Sequence, residues 1–125
     1  MTQEPEARAA LAVLVVLQTI MLTALYSDLP PHPPATTPIF GMAPFLGMSI
    51  SLAVAALVLG SASGKIGPVL AVLAMLAALV SFGPQKYADP QFPLIWPAVV
   101  TAQVTIVLLT ACLARDIRAH WTRSR

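Results

Sequence analysis

The side chains able to do acid–base, nucleophilic or metal chemistry are few: His32, His120, Cys112, the carboxylates Glu4, Glu6, Asp28, Asp89 and Asp116, and seven bases. None is spaced for a reaction. A lone cysteine excludes an intrachain disulfide and a cysteine metal cluster. His32 and His120 are separated by three apolar stretches, so if each stretch crosses a bilayer the two imidazoles end on opposite faces and cannot hold one ion. His32, flanked by prolines, reads as a loop position. Asp28 and Asp89 are the carboxylates that could work as an acid and a base, yet nothing in the sequence brings them together, and both have ordinary turn roles. The segment 61–65, SASGK, ends in the Gly-Lys of a phosphate loop without the earlier glycine. It reads as a tight turn. The expectation is a protein that is not an enzyme, with no catalytic residue, no metal site and no cofactor. An uncharged quinone or lipid site between helices stays open, because such sites need few polar atoms.

The elements that must carry these residues follow from composition. Apolar residues make up 58% of the 125 positions and charged residues 10%, against roughly half and about a quarter in a soluble domain. So short a chain buries too small a fraction of its surface to hide that much apolar area from water. Lipid tails would accept it. Four apolar runs, 9–27, 44–62, 66–83 and 97–114, each approach the ~20 residues that span a hydrocarbon core. They lack the strict alternation of barrel strands and read as helices. Pro44, Pro68 and Pro97 are expected in the first turns of their spans, where a missing amide donor costs nothing, and Gly83-Pro84 is a stop. The third run has the shortest uninterrupted apolar core, about 15 residues or ~22 Å. The first reads as an anchor and not as a secretory signal peptide, since Glu4 and Glu6 precede it and no small-x-small cleavage site follows. The fold class is all-α: a polytopic membrane protein with a single domain of four transmembrane helices and two proline-rich outer loops.

Lysine and arginine set the orientation. With four crossings, Arg8, Lys65, Arg115, Arg118, Arg123 and Arg125 fall on one side and only Lys86 on the other. Both termini are therefore expected in the cytoplasm, in a bacterial inner membrane. A formal charge of +2 is too small to argue for nucleic acid.

Most of the twelve prolines lie in or beside the two outer loops, which should be extended and stiff. Phe40, Phe45, Tyr87, Phe92 and Trp96 cluster there. They fit either an aromatic belt at headgroup level or a preordered docking surface for a partner.

Within the spans stand no Asp, Glu, Lys, Arg or His at all. Ion-coupled transporters, proton relays and voltage sensors need such groups, and cofactor ligation in a span usually needs a histidine. The polar residues that remain are amides and hydroxyls. Gln18 and Thr19 in span one, and Thr101, Gln103 and Thr105 in span four, lie at similar depths and are expected to hold these two spans together. The competing reading is a polar lining for a solute path. Gly47, Ser51 and Ala55 form a small-xxx-small stripe in span two, and Ala71, Ala74, Ala78 and Ser81 form one in span three, both expected at helix contacts. The C-terminal tail reads as one short helix on the inner leaflet, with Arg115, Arg118, Trp121, Arg123 and Arg125 against lipid.

Two functions follow as expectations. The first is a non-catalytic accessory, structural or assembly subunit of a larger bacterial inner-membrane complex, with an energy-converting complex, respiratory or photosynthetic, as the favoured example. Its partners would be membrane lipids and that complex. The second is a small oligomeric transporter or channel for an uncharged or lipid-like solute.

Overall fold

The computed structural model describes residues 4–29 and 39–124. Among them the structure is helical, without a strand: α1 (Glu4–Ser27), α2 (Ile39–Leu59), α3 (Ile66–Phe82) and α4 (Phe92–Arg123), with a 3₁₀ turn, Pro84–Ala88, before α4. Four helices are long and apolar enough to cross a membrane, α3 together with the 3₁₀ turn that follows it. His32, most of the first proline-rich loop and Arg125 lie outside the described residues.

The helix ends have local causes. At the end of α1, Asp28 adopts a left-handed φ of 52°. The Leu29 N–H then turns back to the Ala24 carbonyl at 3.2 Å, the bond of a Schellman cap. Gly60, at φ 89°, ends α2 in the simpler form, its N–H donating to Ala56 O at 3.0 Å. The chain then doubles back so tightly that a Cβ on Gly67 would stand 2.1 Å from the Gly60 carbonyl oxygen. Glycine is required there by space, and at residue 60 by backbone angle.

Two starts differ from expectation. α2 and α4 begin at Ile39 and Phe92, so Pro44 and Pro97 sit inside the helices and not in their first turns. Each proline gives up one intrahelical bond, to the carbonyls of Phe40 and Pro93. In α4 the earlier start is explained by Pro93, whose fixed φ suits the second helical position. The second outer loop also departs from the extended form expected: it is the 3₁₀ turn followed by α4, with only Gly83 and residues 89–91 non-helical. Prolines at the first positions of helical segments initiate them instead of breaking them.

The helices pack in chain order around a square, α1 against α2 and α4, and α3 against α2 and α4. Antiparallel register shows in the pairs that meet: Gln18 with Ser49 and Glu4 with Ser61 between α1 and the α2 side, Gln103 with Phe82 and Thr110 with Met75 between α4 and α3. Both described ends of the chain therefore lie at one end of the bundle, the tail end, and the 3₁₀ turn lies at the other, the proline end.

The interior is built from fully buried Leu11, Leu14, Leu46, Val99 and Leu109 and from alanines at 53, 56, 71, 74, 78 and 102. Alanine lets backbones approach closely, which suits helices that lack large knobs. The exterior carries large apolar side chains, among them Val16, Ile20, Val58, Val69, Leu76, Val80 and Val107, all more than half exposed. α4 is one rod of 32 residues, ~48 Å long against a hydrocarbon core of about 30 Å. The basic tail is thus the continuation of α4 and not a separate helix, because no glycine or proline interrupts residues 98–123.

Candidate functional site

One hydrogen-bonded polar cluster stands at the proline end. Asp89 organises it. Its Oδ1 accepts the Gln91 backbone N–H at 2.9 Å, and its Oδ2 takes the Lys86 ammonium at 3.3 Å. The Gln91 N–H, and behind it Lys86, outweigh partial desolvation and hold the Asp89 carboxyl below its ordinary value. This is an Asx turn that launches α4 while pinning the preceding turn. The 3₁₀ turn is tied to its neighbours in the same way. Gln85 Nε2 donates to the carbonyls of Leu79 and Val80 at 3.0 and 2.8 Å, satisfying the end of α3. Gln103 Nε2 donates to Phe82 O at 3.1 Å, and its Oε1 accepts the Tyr87 hydroxyl at 2.8 Å. The Tyr87 and Phe92 rings stand 5.0 Å apart, tilted by 50°.

Beneath this cap lie two apolar cavities of about 380 Å³ each. The first opens between α1 and the start of α4. Leu17 and Ala98 line it, Phe82 and Val99 close its floor, and Lys86, Asp89 and Gln91 stand at its polar end. The second opens between α2 and α3, along Met42, Phe45, Leu46 and Val80. Both are walled by Met21, Ser81 and Lys86, so those three side chains partition one space into two lobes.

The helix-contact residues expected from the sequence divide into two groups. Gln18 is fully buried and does bridge helices, but its Nε2 donates to Ser49 of α2 and not to α4, and its Oε1 meets no donor among the described residues. Gln103 joins α4 to the end of α3. Thr19, Ser51 and Thr105 instead donate to carbonyls four residues back in their own helices, at 2.7, 2.8 and 2.7 Å. A hydroxyl in an apolar setting finds the nearest backbone acceptor first. Thr101 is exposed and its carbonyl serves Thr105. Spans one and four do pack together, yet through apolar side chains and not through the Gln18–Gln103 pairing. Nor do Gln18, Thr101, Gln103 and Thr105 converge on one path. In α2 the stripe of Gly47, Ser51 and Ala55 is not buried, and a Cβ on Gly47 would meet nothing within 4 Å. The buried face of α2 is Leu46, Ser49, Ala53 and Ala56, whereas the stripe Ala71, Ala74, Ala78 and Ser81 of α3 is buried throughout.

The five aromatic residues occupy the proline end, with Phe40, Tyr87 and Trp96 exposed and Phe45 and Phe92 half-buried. At the tail end, Arg115, Arg118, Trp121 and Arg123 are exposed on the last turns of α4. There a cavity of about 340 Å³ runs between the 61–68 turn and α4, past Asp116, His120 and Arg123. The same turn receives a bond that sequence reasoning missed: Glu4 accepts the backbone N–H groups of Ser61 and Ala62, each at 3.1 Å, and the Ser61 hydroxyl at 3.2 Å. No local signal announces it, since the partners are 57 and 58 positions apart. The turn role expected for Asp89 is seen in its bond from the Gln91 N–H, whereas its ion pair with Lys86, three residues earlier, was missed.

Among the described residues no group of three histidine, cysteine or acidic side chains is placed to hold a metal ion. No family model, curated protein or solved structure matches this chain.

Proposed function

We propose that this chain is a multi-pass protein of a bacterial inner membrane, with both ends in the cytoplasm, and that it serves as a non-catalytic accessory or assembly subunit of a larger membrane complex. One observation carries the reading. The exterior is a belt of large apolar side chains, while the apolar runs contain no ionised group, and Gln18 and Gln103 each donate to a neighbouring helix. In lipid such a surface is satisfied as it stands, and an interior without charge has no group with which to move protons or ions. The excess of basic residues at the tail end supports the orientation. At the proline end Tyr87 and Trp96 are exposed beside a hydrogen-bonded 3₁₀ turn, and a surface tied in this way loses little entropy on meeting a partner. An energy-converting complex is one example of such a partner.

Migration on a native gel after gentle solubilisation of source-cell membranes tests it. Comigration with a larger assembly is expected, and recovery only as a free monomer or homodimer overturns the subunit reading. Retention in the membrane pellet after carbonate washing tests membrane insertion separately.

A second reading, binding or carriage of a lipid-like uncharged solute, is favoured by the paired cavities at the proline end. It does not use the Gln18, Thr101, Gln103 and Thr105 lining expected from the sequence.

A further inference from the structure

We infer that the cavity between α1 and α4 at the proline end binds one uncharged amphiphile, with a carbonyl-type acceptor head at Lys86 and a flexible apolar chain against α1 and α4. The inference rests on the membrane reading, from which such a ligand would enter sideways. Four features support it.

The cavity has the size of a small-ligand site, about 380 Å³. Its walls are apolar and its floor is sealed, since Val99 and Phe82 are buried. Its rim faces outward: Ile20, Leu29 and Leu94 are each about three-fifths exposed, so the mouth would open toward the surrounding lipid and not toward an aqueous vestibule. Its charged and amide groups, Lys86, Asp89 and Gln91, stand together toward one end, and Ser81 on the wall shared with the second lobe is the one other polar residue lining it. A cavity apolar along its length and polar at one end matches an amphiphile lying along it.

The head chemistry follows from the charges. Lys86 and Asp89 stand 3.3 Å apart and cancel each other. An anionic head would gain Lys86 but face Asp89, and a cationic head the reverse. The ammonium has three N–H donors and the contact with Asp89 uses one. Hydrogen-bond donation without net charge is therefore what the cluster offers, and an uncharged carbonyl oxygen is what it suits. Two natural sources share that chemistry, a prenylated quinone and a neutral glycerolipid ester. Met21, which separates this lobe from the one beside α2, is a flexible thioether able to adapt to chains of different length.

Native mass spectrometry of the delipidated full chain tests the inference, with a decyl-substituted benzoquinone, dioctanoylglycerol and dodecyl phosphate as separate probes. One retained copy of the quinone or of the glycerolipid is expected, and whichever is retained identifies the source. Dodecyl phosphate should be retained at least about tenfold less, and Lys86→Met should lower occupancy by about tenfold, the equivalent of one lost hydrogen bond. Ala98→Phe, which fills the lobe, should abolish retention. Where that variant does not fold, as read by helical circular dichroism, Lys86→Met and the anionic probe decide. Multiple copies bound equally by wild type and Lys86→Met, or equal retention of dodecyl phosphate, would overturn the site. Failure here together with carbonate-resistant membrane association rejects the ligand alone and leaves the membrane reading intact.

Discussion

Glu4 and Ser61 are joined twice across 57 positions of sequence: the Glu4 carboxylate accepts the Ser61 backbone N–H at 3.1 Å and the Ser61 hydroxyl at 3.2 Å. The Ala62 N–H completes the set. A turn whose N–H groups converge on one point is a small anion site, and the chain fills it with its own first helical residue. The contact ties the start of α1 to the turn between α2 and α3, so three helices share one fastening at the tail end.

Glu4→Ala should therefore lower stability by about 1–3 kcal/mol, the usual cost of leaving donors to a charged acceptor unpaired. Thermal unfolding in detergent measures it. Glu6→Ala is the control, since Glu6 is exposed on the same first turn and takes no part in the Ser61–Ala62 fastening. Equal effects of the two substitutions would mean the fastening contributes nothing of its own.

The Asp89 carboxyl is held below its ordinary value of 3.8 in the folded protein, first by the Gln91 N–H and then by Lys86. A depressed folded value means the unfolded chain binds the proton more readily. The stability this group contributes is then fully present above pH 3.8 and is lost as the pH falls through the lower folded value. Unfolding midpoints of wild type and Asp89→Asn should differ at neutral pH and converge in acid. A gap that persists or widens in acid contradicts the linkage.

Gln18 is buried with one amide bond to Ser49, and its oxygen meets no donor among the described residues. Ser49→Ala leaves the whole amide without a partner and should cost about 1–3 kcal/mol, whereas Gln18→Leu combined with Ser49→Ala should come within about 1 kcal/mol of wild type. A double-mutant cycle on unfolding free energies reads the coupling directly. A double variant as unstable as Ser49→Ala alone would argue that packing, not the polar pair, is what matters here.

Small residues on α2 and α3 should respond oppositely to enlargement. Ala74 is 1% exposed within the bundle, while Gly47 has open space at its Cβ position. Ala74→Leu should cost about 1–3 kcal/mol by overpacking. Gly47→Leu should be neutral or stabilise by up to about 1 kcal/mol through helix propensity. The same unfolding assay separates them, and a destabilising Gly47→Leu would point to a partner helix lying against that face.

Much of the architecture was legible from composition alone. Four long apolar runs without an ionised residue, punctuated by proline and glycine, yield four helices whatever the details of packing, because backbone groups in an apolar setting must bond within their own segment. The tight 61–65 turn makes α2 and α3 antiparallel neighbours for the same local reason. The buried stripe of Ala71, Ala74, Ala78 and Ser81 followed from spacing.

Which faces turn inward was decided only by the tertiary structure. A helix of a water-soluble protein advertises its buried side by contrast with its polar side. These helices are apolar nearly all round, so Gly47 and Ser51 looked as suited to the interior as Ser49 and Ala53, and only the packing of all four helices chose between them. The same holds for polar partners. Gln18 was expected to meet Gln103 of α4, and the packing joins it to Ser49 of α2 instead. Glu4 with Ser61, 57 positions apart, depends on where helix ends meet, a property of the assembled bundle that no single segment encodes.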